Sequence, residues 1–131
     1  MIGTEGTVLG LAALWQVVQI GLAGASMNRD MGPRWNAGPR DDAPQFSART
    51  GRLRRAVTNH FEALALFTIA VVLVWRAEAA SSLTAGAAWL YLVARVLYVP
   101  AYAFGWTPWR SLIWTLGFLA TLAMIVHALL T

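Results

Sequence analysis

Apolar residues fill three long stretches of the chain that contain no Asp, Glu, Lys or Arg: residues 6–28, 79–94 and 111–131. A helix needs about 20 mostly apolar residues to cross a membrane, and the first and last stretches are long enough on their own. We therefore predict an all-α, integral membrane bundle of four antiparallel helices, since most of the connections are short. The helices are predicted at about residues 4–27, 51–75, 82–104 and 108–130.

The composition supports a membrane protein with a single domain over residues 1–131. Of the 131 residues, 58% are hydrophobic and only 12% are charged, which is too little charge to cover the surface of a soluble domain. The N-terminal apolar stretch is preceded by Glu5 and by no Arg or Lys. This pattern is typical of a permanent helix rather than of a cleaved signal peptide.

The net charge lies in one polar segment. Residues 28–50 contain three Pro and two Gly in addition to many charged residues, and we predict an ordered loop there. Counted to residue 55, this part of the chain carries seven Arg (29, 34, 40, 49, 52, 54 and 55) and three Asp, a net charge of +4. By the positive-inside rule the loop is cytoplasmic, so both termini are predicted on the non-cytoplasmic side.

A stripe of polar residues opens the second helix. At 100° per residue, the side chains of Arg52, Arg55, Asn59 and Glu62 fall within about 80° of one another. Two interpretations stay open: Glu62 forms a structural ion pair with Arg55 or Arg52, or the stripe faces a functional pocket. His60 lies outside the stripe and is predicted to be an interface or headgroup residue.

A second polar set comprises three residues of helix three and one of helix four. Arg95, Tyr98 and Tyr102 share one face of helix three. Arg110 lies near the start of helix four, for which Thr107 is the predicted N-cap and Pro108 the first helical residue. Cations at two helix N-termini on the same membrane side indicate a bound anion, either a lipid headgroup or a small molecule.

Taken together, these features resemble the MAPEG family, the membrane-associated proteins of eicosanoid and glutathione metabolism. The resemblance rests on the Arg55-x-x-x-Asn59-x-x-Glu62 pattern, on the residues of helices three and four, and on "GPRDDAP…GRLRRAVTNHFEALALF", which is similar to bacterial members. It covers nearly the whole chain. It implies a homotrimer in a bacterial cell membrane, with glutathione bound between neighbouring subunits near the cytoplasmic face.

The resemblance also implies roles for individual residues. Glutathione would be the co-substrate, with Glu62 receiving its amino group and Arg110 stabilising its thiolate. The other residues expected to bind glutathione are Arg52, Arg55, Asn59, Arg95, Tyr98, Tyr102 and Arg29, the last as the counterpart of a helix-one arginine. The implied reaction is addition of glutathione to a hydrophobic electrophile, or reduction of a lipid hydroperoxide.

Two other functions remain as alternatives. The first is a non-catalytic membrane scaffold or lipid-binding protein of the same fold, because a fold does not guarantee an activity. The second is a small proton-coupled exporter in which Glu62 binds cationic substrates. The sequence suggests neither a nucleic-acid partner nor a metal cofactor, since it has no Cys and only two isolated His residues.

Overall fold

A computed structural model describes residues 2–131, which form five helices. These are α1 (Gly3–Met31), α2 (Pro33–Ala37), α3 (Ala48–Arg76), α4 (Ser82–Ala103) and α5 (Trp109–Leu130). All except α2 are long and apolar enough to cross a membrane. The predicted all-α architecture with four spanning helices is therefore confirmed.

The polar segment is more helical than predicted. The first helix continues to Met31, four residues beyond its predicted end, and stops at Gly32, whose φ of 86° leaves the helical region. The short helix α2 follows at once. The next long helix begins at Ala48 because the Ser47 hydroxyl accepts a hydrogen bond from the Thr50 backbone N–H. Capping groups, rather than the limits of the apolar stretches, set these ends.

Contacts at both ends of the bundle establish the antiparallel order of α1 and α3. Near the start of α1, a Cβ on Gly6 would lie 2.7 Å from the Trp75 ring, which belongs to the end of α3. At the other end, the hydroxyls of Ser26 and Thr50 are hydrogen-bonded. Helices α1 and α4 run parallel, since Thr84 at the start of α4 donates a hydrogen bond to the buried carboxylate of Glu5.

The core lies where α1, α3, α4 and α5 meet. Phe67 and Tyr91 stack at its centre with ring centroids 4.0 Å apart, and Val8 and Met124 pack around them. Many of the other buried residues are alanines, which let the helices approach closely, as is common between membrane helices. Larger apolar side chains lie mostly on the outer surface, where a bilayer would contact them.

A tight turn joins α4 to α5 beside the arginine-rich segment. Gly105 adopts a φ of 67° in this turn, a conformation that glycine tolerates best. The prediction that Thr107 caps the last helix is wrong, because its hydroxyl donates to the Gly105 carbonyl (3.4 Å) and the N-cap position belongs to Pro108. Arg110 is consequently the second residue of α5. We call this end of the bundle, with residues 28–55 and 104–110, the arginine-rich end.

Candidate functional site

A groove of about 310 Å³ opens between α3, α4 and α5 at the arginine-rich end. Six of the nine predicted site residues line it, together with Thr58. Those six are Arg55, Asn59, Glu62, Tyr98, Tyr102 and Arg110. Residues that are distant in the sequence thus meet at one place, because α3 and α4 are antiparallel and the short turn brings the start of α5 beside the end of α4.

Tyr102 holds the two cations of the groove in position. Arg55 donates a hydrogen bond from Nε to the Tyr102 hydroxyl over 2.9 Å. The guanidinium carbons of Arg55 and Arg110 lie 5.8 and 4.9 Å from the centre of the Tyr102 ring, which is within the range of cation–π attraction. The aromatic ring therefore offsets part of the repulsion between two arginines that face the same space.

Arg95 lies behind the groove and fixes the orientation of Asn59. Its side chain is only 2% exposed, and Nη1 donates to the Asn59 side-chain oxygen over 2.9 Å. A guanidinium has only donors, so the oxygen of Asn59 must face Arg95. The Asn59 NH₂ group is then left to donate to whatever occupies the groove. Arg95 also packs over the Tyr98 ring, 4.5 Å from its centre.

His60 is a buried core residue, so its predicted place at the interface or among headgroups is wrong. It is 0% exposed, and its Nδ1 accepts a hydrogen bond from Arg95 Nε over 3.3 Å. Because Nδ1 is the acceptor, Nε2 carries the proton and donates to the Ala12 carbonyl over 3.0 Å. Helix α1 packs on the side of α3 that lies away from the polar stripe, and this packing encloses the ring.

Glu62 is exposed beside the groove. The two arginines that were considered as structural partners for its carboxylate bond elsewhere. Arg55 donates to Tyr102, and Arg52 donates from Nη1 to the Ala103 carbonyl at the end of α4 over 3.2 Å. The stripe is thus better described as one wall of a pocket than as an ion pair within the subunit.

Two predicted site residues occupy other positions at the same end of the bundle. Arg52 is half-buried and stabilises the last turn of α4, whose free carbonyls favour a cation. Arg29 is exposed in the last turn of α1 and is not among the described residues that line the groove. Of the predicted site arginines, Arg110 lies in the first turn of its helix, whereas Arg52 and Arg55 lie beyond the first turn of α3.

The groove continues along α5 beyond the predicted residues. Along α5, Ser111, Trp114 and Thr115 border a continuation of the groove with a volume of about 370 Å³. Trp114 lies four residues from Arg110, and Ser111 lies three and four residues from Trp114 and Thr115, and this helical spacing was the available signal. Within residues 2–131, no group of three or more His, Asp or Glu side chains forms a possible metal site.

On the opposite side of Arg55, a wide cavity of about 690 Å³ lies between α1, the polar segment and α3. It shares Arg55 and Thr58 with the groove and adds Arg40 and Arg54. Arg40 is fixed there by hydrogen bonds to Asn36, from Nη2 to the side-chain oxygen (2.8 Å) and from Nε to the backbone carbonyl (2.9 Å). The sequence pattern did not indicate this second basic surface.

Comparison with known proteins identifies the chain at the level of its family. The model of the MAPEG family matches residues 6–130, which is nearly the whole chain. No curated protein and no solved structure matches it. With four helices able to cross a bilayer, the match indicates a multi-pass membrane protein.

The contact between Asn59 and Arg95 makes a prediction about stability. Replacing Asn59 with Leu leaves Nη1 of the buried Arg95 without an acceptor, and we expect the free energy of unfolding to fall by about 1.5–3 kcal/mol. Asn59→Asp keeps the acceptor and adds charge, so its melting temperature in detergent should match or exceed that of the unmodified protein. Equal melting temperatures for the Leu and Asp variants would show that the hydrogen bond contributes nothing.

Proposed function

The chain belongs to the MAPEG family, and on that premise we propose that it is a membrane-bound glutathione transferase or peroxidase. The observation that carries the proposal is the groove in which Arg55, Arg110, Asn59 and Glu62 face one space. Glutathione has two carboxylates and one ammonium group. The guanidinium of Arg55 and the carboxylate of Glu62 complement one carboxylate and the ammonium group, and the Asn59 amide can donate to the other carboxylate, which leaves Arg110 for the sulfur.

In the proposed reaction Arg110 acts on the sulfur of glutathione. A free thiol has a pKa of about 8.5, and neighbouring positive charge lowers this pKa and favours the nucleophilic thiolate. Arg110 supplies that charge from the second residue of α5, where the backbone N–H groups add to the positive potential. The thiolate then attacks an electrophile that arrives from the bilayer. A carbon–sulfur bond forms either as a C=C bond gives up its π electrons and its other carbon takes a proton, or as a halide ion leaves an aryl carbon.

We further propose that the groove is completed by a second copy of the chain in a homotrimer. Glu62 is the middle residue of α3, and a lone carboxylate that faces lipid within a span is costly. A neighbouring subunit would remove that cost. The cavity on the other side of Arg55 offers the additional cations Arg40 and Arg54 to a ligand between two subunits.

The proposed orientation follows the distribution of charge. Seven arginines in residues 28–55 favour the cytoplasmic side for the arginine-rich end, and the termini then lie on the non-cytoplasmic side of a bacterial cell membrane. In this orientation the groove opens towards the compartment in which glutathione would be available.

The two alternative functions make different use of the same groove. In a lipid-binding scaffold, Arg55 and Arg110 would hold the phosphate of an anionic headgroup. A proton-coupled exporter needs a carboxylate that attracts cations, and the presence of Arg55 and Arg110 beside Glu62 argues against it.

Glutathione should raise the melting temperature of the purified protein in detergent, in a saturable way, because a ligand that binds only the folded state stabilises it. Arg55→Ala and Glu62→Ala should abolish this rise. Arg76→Ala is the matched control, since Arg76 is exposed at the opposite end of α3. The proposal fails if glutathione has no effect, or if the Arg55 and Arg76 variants respond alike.

Arg110→Ala should reduce the rate of conjugation of glutathione to a lipophilic aryl halide by about 100-fold or more, as does removal of other groups that stabilise a developing anion. The apparent affinity for glutathione should change much less. Arg110→Lys, which keeps the charge, should retain part of the rate. An unchanged rate in the Ala variant would exclude Arg110 from the mechanism.

Native mass spectrometry from detergent micelles should give a mass of three chains. A charge-reversed variant, Glu62→Arg, should shift the population towards the single chain because it places three cations along one groove. A single-chain mass for the unmodified protein, under conditions in which it still binds glutathione, would contradict the trimer.

A further inference from the structure

A smaller cavity of about 120 Å³ lies between α3, α4 and α5, next to the groove and further from the arginine-rich end. Asn59 and Glu62 border both spaces, so the cavity and the groove adjoin. Leu66, Trp114 and Phe118 form much of its wall and are exposed on the outer surface of the bundle. From the outer surface of a single subunit, a hydrophobic molecule can therefore reach a space beside the groove.

Two buried donors on α4 border this cavity. Tyr91 and Arg95 are 1% and 2% exposed. The Tyr91 hydroxyl and Arg95 Nη2 make no hydrogen bond to any of the residues 2–131 that the structure describes. Buried polar atoms in proteins almost always have a partner, and an orphaned donor on a cation is especially unfavourable. The cavity is the adjoining space in which a ligand could supply the missing acceptor.

Both donors are held rigidly. Tyr91 stacks on Phe67, with the two ring planes 5° from parallel, and Arg95 is fixed through its other nitrogens by His60 and Asn59. Tyr91 and Arg95 are four residues apart, so their side chains project from the same face of α4. These two side chains would therefore lose little conformational entropy when a ligand binds. Such preorganised polar groups favour a selective contact inside an apolar pocket.

We propose that this cavity binds the carbonyl oxygen of a hydrophobic α,β-unsaturated ketone or aldehyde, with Tyr91 Oη and Arg95 Nη2 as the two donors. The inference rests on the proposed function and names the class of electrophile. A carbonyl oxygen has two lone pairs and accepts both donors. Arg95 and Glu62 border the same cavity with opposite charges, so a neutral head group is favoured over a carboxylate.

The donors would also assist the reaction. The glutathione thiolate bonds to the β-carbon, the electrons of the C=C bond shift, and negative charge develops on the carbonyl oxygen. Tyr91 and Arg95 stabilise that charge. The proton lost by the thiol returns to the α-carbon, so the product is a saturated thioether and no other reactant is needed.

The test uses a saturated long-chain methyl ketone, which cannot react, labelled with a heavy isotope at the carbonyl carbon. In the absence of glutathione, its infrared carbonyl band should move to lower frequency when it binds the purified protein in detergent. Tyr91→Phe removes one donor and keeps the stacking on Phe67. This variant should weaken ketone binding about fivefold and reduce the band shift, since one hydrogen bond is lost.

Thr121→Val is the matched control because Thr121 borders the same cavity, but its hydroxyl already donates to the Gly117 carbonyl over 3.1 Å. It should leave ketone binding unchanged, and an alkane of equal length should bind the Tyr91→Phe variant as well as the unmodified protein. Ketone binding that is insensitive to Tyr91→Phe would overturn the proposal, as would equal weakening of ketone and alkane.

Because the test contains no glutathione, its result is independent of the glutathione titration. A Tyr91-dependent band shift without any glutathione binding would support the carbonyl site and refute the transferase function. Glutathione binding with no band shift would refute the carbonyl site alone.

Discussion

The guanidinium group of Arg95 connects three of the four long helices from the middle of the bundle. It extends from α4 to Asn59 and His60 on α3, and His60 continues the chain of hydrogen bonds to the Ala12 carbonyl on α1. The backbone of Arg95 is bound as well, since its carbonyl accepts a hydrogen bond from the Trp15 indole of α1 over 3.3 Å. In a bilayer the hydrophobic effect does not drive helices together, so directional contacts of this kind and close packing together select one arrangement.

The Arg95 side chain affects both the groove and the smaller cavity, which adjoin at Asn59. Towards the arginine-rich end, Arg95 takes the oxygen of the Asn59 amide and leaves its NH₂ to the groove. On the other side, Arg95 presents an unpaired nitrogen beside the hydroxyl of Tyr91. One buried residue thus contributes to two adjoining spaces of different polarity. Such an arrangement suits a reaction between a charged peptide thiol and a hydrophobic partner.

The spacing of residues along each helix predicted the contents of the groove well. Arg55, Asn59 and Glu62 share a face because they follow helical spacing, and the same rule grouped Tyr98 with Tyr102. It predicted less well what packs against each face. The angle of His60 on the helix differs from that of the stripe and predicts an interface or headgroup residue, and only the arrangement of the helices shows that α1 covers it. Two helix ends were missed for a related reason: Gly32 and Ser47 end or cap helices within polar sequence, where hydrophobicity carries no signal.

The polar side chains of the bundle differ in whether a partner within one subunit accounts for them. Glu5 and His60 are buried, and each has a bonding partner on another helix, which accounts for them within one subunit. Glu62, by contrast, is exposed at the middle of α3, and Tyr91 keeps its hydroxyl unpaired among residues 2–131. These two residues border the same cavity. The proposed neighbouring subunit and the proposed ligand would supply partners for these groups, and both needs arise at the same face of α3, α4 and α5.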